Sequence, residues 1–264
     1  FRGNKRSFPK LAAIVAEAAN VTIYDLTEAG RPMFCRFIAT ATETISAKYL
    51  LSGANSLAAV NGKVLVGGIG TNLTGLTTID FASDKATLRL TSGYTWNGTI
   101  ATRNTVGGYT TVDASVGAIV NATANAVAAT ILPDAPVDPV TGLQVPTIAV
   151  GTGGGVSVIK HDGTVRNSSS TSAFTQVTLT PQLLSAGRAD AVWYYAANPG
   201  SLGASFVLSS ITDTEGPDFN NGITTTLKNK DRSTYFRNSS NTIQTLRNNE
   251  FSKNKGITSK IKIG

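Results

Sequence analysis

The residue types that carry most enzyme chemistry are scarce in this chain of 264 residues, which has one cysteine and one histidine. Cys35 has no partner for an internal disulfide, so packing or assembly must hold the fold together. We expect Cys35 to be a small, buried hydrophobic residue. With His161 as the sole histidine, His-rich zinc sites and relays of several histidines are excluded, and we expect His161 to be exposed in a turn.

Long apolar runs are also missing from the chain. No stretch approaches the ~18 apolar residues that a membrane-spanning helix requires. Charged residues make up 15% of the sequence and hydrophobic residues 41%, a combination typical of globular proteins and opposite to that of disordered ones. We therefore expect a folded protein with no membrane partner.

The net charge of +7 is concentrated at the two ends of the chain. Residues 1–10 contain four basic residues and no acid, and residues 228–264 contain nine basic residues and two acids. The part between them has ten basic and fourteen acidic residues and is slightly acidic. Basic ends on such a body favour docking to neighbouring chains. Nucleic-acid binding is disfavoured, because few aromatic residues accompany the basic ones.

What the sequence does contain is a recurring β pattern, rich in glycine, serine, threonine and asparagine with short runs of valine and isoleucine. Each copy has an apolar run, a turn and an alternating strand. The dipeptides Asn61-Gly62 and Asp162-Gly163 are strong hairpin signals. Three copies and a predicted fourth lie at residues 11–26, 56–84, 146–165 and 189–211.

These copies predict an all-β fold with β-propeller-like repeats. Their centres at Ile23, Ile79 and Val158 are 56 and 79 residues apart, which is wider than the ~40–50 residues of common propeller blades. The visible copies are too few to close a ring of ~4–8 blades comfortably. Apolar residues three and four positions apart in residues 113–132 predict one inserted helix, from Ser115 to Ala129.

A change of composition near Thr212 predicts two regions. Residues 1–211 form the propeller-like domain, with the helical insertion at about 113–132. Residues 212–264 form an extended basic C-terminal segment, which can supply strands at Ile243–Leu246 and Ile257–Ile263 but has too few apolar residues for its own core.

Motifs for catalysis are weak or missing. The glycine-rich stretches 67–72 and 151–160 lack the Lys-Ser/Thr pair and the following helix of a phosphate loop, so hairpin loops are predicted there. No G-x-S-x-G nucleophile motif occurs. A glycosidase needs two carboxylates ~5–10 Å apart, but acids at strand ends usually accept hydrogen bonds from turn amides. The acids in such positions are Asp80, Asp84, Asp113 and Asp190.

One aromatic cluster is a candidate ligand-binding site. In the predicted strand at 193–195, Trp193 and Tyr195 face one side and Tyr194 faces the other. Packing in the core and a platform for a glycan are the two interpretations of the pair. No catalytic residue, metal site or cofactor is predicted.

Four segments resemble, in the same order, a group of bacteriophage structural proteins with propeller-like repeats. They are LAAIVAEAANVTIYDLTEAGRPMFCRF, SLAAVNGKVLVGGIGTNLTGLTTIDFASDKATLRL, LPDAPVDPVTGLQVPTIAVGTGGGVSVIKHDGTV and WYYAANPGSLG. The resemblance covers residues 8–205. The chain departs from the group at His161, where an acid is usual, at Cys35, near a usual tryptophan, and after about Ile211.

The resemblance implies a non-enzymatic structural protein of the virion, in the tail or tail fibre, that contributes to assembly and host attachment. Other virion proteins, further copies of the same chain and a host surface glycan are the implied partners, and no cofactor is implied. A carbohydrate-binding or depolymerising receptor-binding spike is the first alternative. A secreted bacterial β-propeller is the second.

Overall fold

The fold is all-β, as predicted. The computed structural model describes residues 8–17, 20–38, 54–68, 75–104, 109–188, 192–195, 205–206, 209–211, 233–237 and 243–247, with the backbone alone for 109–111 and for the strands after residue 188. Within these ranges every regular element is a strand except the 3-10 turn Ile100–Thr102. None of these residues forms a helix long and apolar enough to cross a bilayer.

The strands form five sheets. Sheet I contains β1 (Ala12–Glu17), β2 (Asn20–Asp25) and β3 (Met33–Ile38). Sheet II contains β4 (Ala54–Val60), β5 (Lys63–Gly68), β6 (Leu76–Asp80), β7 (Lys85–Arg89), β8 (Gly93–Trp96) and β9 (Tyr109–Val112). Sheet III contains β10 (Ala124–Thr130), β11 (Thr147–Thr152), β12 (Gly155–Ile159), β13 (Val165–Ser168) and β17 (Ser205–Phe206).

Sheet IV contains β14 (Gln176–Thr180), β15 (Leu183–Gly187), β16 (Val192–Tyr195) and β18 (Ser209–Ile211), and sheet V contains β19 (Ser233–Arg237) and β20 (Ile243–Arg247). Most hydrogen-bonded neighbours are consecutive in the chain and antiparallel, and β17 joins β13 in parallel. Short sheets of consecutive antiparallel strands are the building unit of a propeller blade.

Both predicted hairpin turns are present. Asn61 and Gly62 have φ values of 43° and 73°, as a two-residue type I′ turn requires, and they join β4 to β5. Gly163 has a φ of 84°, and its amide donates to the carbonyl of Lys160 at 2.9 Å. The first three predicted copies of the repeat fall in sheets I, II and III. The turn predicted at residues 198–200 lies outside the described residues.

Sheets I to IV are packed face to face in chain order, and three buried clusters lie between them. The first joins sheets I and II and includes Val21, Ile23, Cys35, Phe37, Val64, Val66, Ile79 and Leu88. The second joins sheets II and III and includes Leu65, Leu76, Val127, Ile148, Val150 and Ile159. The third joins sheets III and IV and includes Ala149, Val156, Val158, Leu179, Leu184 and Ala186. Cys35 is fully buried, as predicted.

The alternation of side chains sends neighbouring residues of one strand into different clusters. In β5, Val64 and Val66 pack against sheet I, while Leu65 between them packs against sheet III. Strands covered on both faces are apolar almost without interruption, and β11 and β12 are buried along their whole length. The middle two sheets are therefore the core of a propeller-like stack.

The helix predicted from Ser115 to Ala129 is wrong. Strand β10 occupies the second half of this segment, and the first half is extended chain between two turns. The carboxylate of Asp113 accepts the amide of Ser115, and the side chain of Asn121 accepts the amide of Thr123, each at 2.9 Å. These local bonds compete with helical ones. The wide spacing between the second and third repeats is filled by β7 to β10.

The chain divides into two units, Phe1–Ser210 and Ile211–Gly264. The second unit contains sheet V, in which β19 and β20 pair antiparallel with Tyr235 opposite Thr245. The strand predicted at Ile243–Leu246 corresponds to β20. The strand predicted at Ile257–Ile263 lies outside the described residues.

A glycine at the start of β8 allows the segment after β9 to cross closely over it. A Cβ atom on Gly93 would lie 1.6 Å from the carbonyl oxygen of Val116. We predict that Gly93→Ala lowers the free energy of unfolding by about 3 kcal/mol, since the close approach leaves no room for a methyl group. Urea denaturation followed by tryptophan fluorescence measures the change.

The control for this variant is Gly30→Asn. Gly30 has a φ of 82° and nothing within 4 Å of the Cβ position, and asparagine tolerates left-handed backbone better than most residues. Its stability should stay close to that of the wild type. An equally small effect of Gly93→Ala would contradict the close packing of residues 113–116 on β8.

Candidate functional site: a basic cleft between sheets II and III

A cleft of about 260 Å³ opens where the facing sides of sheets II and III reach the ends of their strands. Sheet II contributes the start of β5, the end of β6, and β7. Sheet III contributes the residues just before β11, the end of β12 and the turn that follows it. Four Lys or Arg residues line the cleft with one carboxylate, although residues 11–227 carry more acids than bases.

The wall formed by sheet II follows from strand register. Three rows of side chains share the face toward sheet III: Lys63, Asp80 and Lys85; Leu65, Thr78 and Thr87; and Gly67, Leu76 and Arg89. Residues two apart in a strand lie on the same face. In β7, therefore, Lys85, Thr87 and Arg89 line the cleft, while the intervening apolar residues pack against sheet I.

The wall formed by sheet III is partly apolar and partly basic. Its apolar part consists of Val145, Pro146, Ile148 and Ile159. The turn after β12 adds Lys160 and His161. Asp162 fixes that turn, since its carboxylate accepts the amide of Thr164 at 2.9 Å and the Thr164 hydroxyl at 2.6 Å. The hydroxyl bond is the main reason why the pKa of Asp162 falls to about 2.

Two of the cleft's cations are paired with carboxylates. The ammonium group of Lys63 bonds the carboxylate of Asp80, and that of Lys160 lies 3.5 Å from the carboxylate of Asp162. Burial opposes ionisation of Asp80, but the hydrogen bond and charge of Lys63 together with bonds from Ser83 outweigh it, and the pKa of Asp80 is lowered. Asp80 is therefore a charged partner of Lys63 at neutral pH.

Arg89 has no such partner. Its Nη1 donates to the hydroxyl of Thr87 at 3.0 Å, and its buried Nε has no acceptor in the part of the chain that the structure describes. No ion pair to Arg89 or to the exposed Lys85 is found among the described residues. Burial lowers the pKa of Arg89 to about 10, which leaves it charged at neutral pH. The cleft thus contains a half-buried cation for which the described residues supply no counterion.

Two further buried polar atoms at the cleft, the hydroxyl of Thr78 and Nδ1 of His161, have no hydrogen-bond partner among the described residues. An uncompensated cation with nearby unpaired polar groups favours a negatively charged ligand. Among the residues that the structure describes, no cluster of three His, Cys, Asp or Glu residues could hold a metal ion.

The structure does not test the predicted aromatic platform. Trp193 and Tyr195 lie in β16, where Trp193 is opposite Ala186 and Tyr195 is opposite Leu184. Their side chains lie outside the described part of the chain. The glycan platform remains a prediction.

The acids considered for a glycosidase pair accept hydrogen bonds in loops and turns. Asp80 accepts the amides of Ala82 and Ser83 at 3.0 and 3.2 Å. Asp84 accepts the amide that opens the 3-10 turn, and Asp113 accepts the amide of Ser115. These contacts agree with the expected role of acids at strand ends. Asp190 lies outside the described residues.

His161 lies in a turn, as predicted, but it is half-buried and lines the cleft, so the prediction that it is exposed is wrong. One feature of the sequence that indicates the site was not among the predictions. Lys85, Thr87 and Arg89 alternate with Ala86 and Leu88, which indicates a strand with a basic, polar face. The residues that complete the cleft are about 60 to 75 positions further along the chain, so register and stacking were needed to bring them together.

Comparisons with known proteins give little further information. No protein-family model matches the chain, and no curated protein resembles it. Several solved structures are similar in fold, among them a chain of the crystal structure of BBS1N in complex with ARL6DN, soaked with lead. It has a TM-score of 0.40 and 12% identity and covers 89% of this chain; this chain spans 63% of that chain. So distant a likeness carries no functional argument.

The Lys63–Asp80 pair predicts part of the acid sensitivity of the protein. A carboxylate whose folded pKa lies below its unfolded value stabilises the fold above pH ~4, and this contribution is lost as the pH falls through the folded pKa. Asp80→Asn should therefore show a smaller loss of stability between pH 5 and pH 2.5 than the wild type. The difference should be about 1 kcal/mol at most, because the pair is partly exposed.

Urea denaturation at each pH measures this difference. Lys63→Met is the matched variant, since it removes the cation and keeps the carboxylate. Both variants should flatten the pH dependence of the unfolding free energy. A slope equal to the wild type's in both would show that the pair does not shift the titration of Asp80.

Proposed function

We propose that the chain is a non-enzymatic structural module of a bacteriophage virion, in the tail or tail fibre, that contributes to assembly and host attachment. The resemblance of residues 8–205 to phage structural proteins with propeller-like repeats supports the identity of the particle. The observation that carries the structural role is the stack of four sheets with three continuous buried clusters. Such a stack is a stiff support on which loops and clefts can be presented.

The roles of the polar side chains support a non-enzymatic module. Asp80, Asp84 and Asp113 hold turns together, and Cys35 is fully buried in the core between sheets I and II. Ser157 is also structural, since its hydroxyl accepts the amide of Val120 and donates to Asn167. These five residues, which are of types that could supply a nucleophile or an acid, thus have structural contacts in the fold.

Labelling of intact particles tests the proposed location. Antibodies raised against the recombinant chain, coupled to gold, should decorate the tail or its fibres in negative-stain images of purified phage. Labelling confined to bacterial culture supernatant, with bare particles, would favour the secreted bacterial propeller instead. Antibody adsorbed with the recombinant chain serves as the control for specific labelling.

Assembly is the second testable part of the proposal. Residues 228–264 carry nine basic residues and isolated isoleucines, so we propose that they dock on another copy of the chain or on another virion protein. Deletion of residues 228–264 should convert an oligomer of the full chain into a monomer in size-exclusion chromatography with light scattering. Surface ion pairs contribute only ~0–1 kcal/mol each.

Apolar contacts and strand pairing should therefore dominate the docking, and the full chain should remain oligomeric in 0.5 M salt. Replacement of Ile257, Ile261 and Ile263 by serine should weaken assembly more than replacement of Lys253, Lys255 and Lys260 by glutamine. Equal assembly of the truncated and full chains would show that this segment has no role in docking.

A further inference from the structure

We propose that the cleft between sheets II and III binds a single acidic sugar residue, with its carboxylate or phosphate group on Arg89 and Lys85. Among the described residues the two cations have no carboxylate partner, and Nε of Arg89 has no acceptor. An oxyanion in the cleft would supply the counterion that the described residues do not provide. Guanidinium groups bind carboxylates and phosphates strongly because two parallel hydrogen bonds can form.

The shape and lining of the cleft indicate a sugar rather than a bare ion. Its volume of about 260 Å³ lies just below the ~300–1,000 Å³ of pockets that hold drug-sized ligands, so it has room for one ring but not for an oligosaccharide. Ile148 and Ile159 offer an apolar surface for the ring. Thr78, Thr87 and Ser83 offer hydroxyls around it.

Asp80 limits the strength of the site. It lies between Lys63 and Lys85 in the same row of side chains and neutralises Lys63 through their ion pair. A bound anion would meet this carboxylate as a repulsive neighbour. Asparagine can still accept the amides of Ala82 and Ser83 through its side-chain oxygen, so Asp80→Asn should retain the turn and make the cleft more positive.

The assignment to a sugar rests on the proposed function, because an attachment protein on a virion would encounter acidic surface polysaccharides of its host. The binding of an anion rests on the cleft alone. The experiment therefore uses defined probes and the purified full chain, in low salt at pH 7.5, by isothermal titration calorimetry. The probes are glucuronate, glucose 6-phosphate, neutral glucose and inorganic phosphate.

We expect glucuronate or glucose 6-phosphate to bind, and the stronger of the two identifies the acidic group. Glucose should bind at least tenfold more weakly. Arg89→Met should weaken binding by about 10- to 100-fold, in line with the loss of a hydrogen-bonded charge. Asp80→Asn should strengthen it by about threefold or more, and 0.5 M NaCl should weaken it.

Controls separate binding from folding. Arg31→Met makes the same change at an exposed arginine outside the cleft and should bind like the wild type. Lys85 is exposed, so Lys85→Met should fold normally and carries the test if Arg89→Met does not fold. Thermal melts of every variant establish that the folded state is being titrated.

Three outcomes would overturn the proposal. Equal binding of glucose and glucuronate, unaffected by Arg89→Met and Lys85→Met, would exclude recognition of an anion. Binding of inorganic phosphate as strong as that of glucose 6-phosphate would exclude recognition of the sugar. Absence of binding by any probe to the folded wild type would exclude the site. Acidic-sugar binding by a chain that does not label virions would uphold the cleft and refute the proposed location.

Discussion

The structure depends on the burial of both faces of its middle sheets. The central strands β5, β11 and β12 are buried almost throughout, so their successive residues must pack against two different neighbouring sheets. Val64 and Val66 pack toward sheet I and Leu65 packs toward sheet III, and the same division occurs in β11, where Ala149 and Val150 belong to different clusters. Each buried aliphatic side chain contributes roughly 1.5–3 kcal/mol. Because one strand serves two clusters, adjacent sheets are linked in stability.

The same constraint produces the cleft. The interface between two stacked sheets is apolar only where both sheets supply apolar side chains. At the end of β6, the face of sheet II that packs against sheet III becomes polar, with Thr78, Asp80 and their neighbours. Opposite them β12 ends and turns back at Gly163, where the chain can adopt a positive φ. Polar side chains from both walls then converge beside an apolar floor. A site between stacked sheets thus arises at the boundary of a core cluster, with rigid strands on both sides.

Short-range sequence patterns predicted much of the fold, whereas contacts between residues far apart in the chain were not predicted. Asn61-Gly62 specified a hairpin because few residues tolerate its backbone angles, and the glycine-rich stretch at 151–160 was correctly assigned to a hairpin loop. The segment at 113–132 misled because its apolar residues match a helical period by chance, while its alanines hide the alternation of β10. Asx turns at Asp113 and Asn121 favour the extended chain and strand over a helix. Their effect depends on the conformation of the flanking backbone. The cleft could not be predicted, since Arg89 and His161 are brought to the same cleft only by the stacking of sheets II and III.

The half-buried Arg89 and the buried Arg103 differ in how far the fold satisfies their guanidinium groups. Arg103 is 3% exposed, but its Nε and Nη1 donate to the carbonyls of Arg36 and Ile100 at 2.6 and 2.9 Å, and its guanidinium lies 5.5 Å from the ring of Phe37. Its Nη2 has no partner among the described residues. The fold therefore satisfies a buried arginine where that arginine ties strand β3 to the 3-10 turn. Arg89 lines the cleft, and among the described residues it has one hydrogen bond, to the hydroxyl of Thr87, and no counterion. An anion from outside the chain is the group that would pair with its charge.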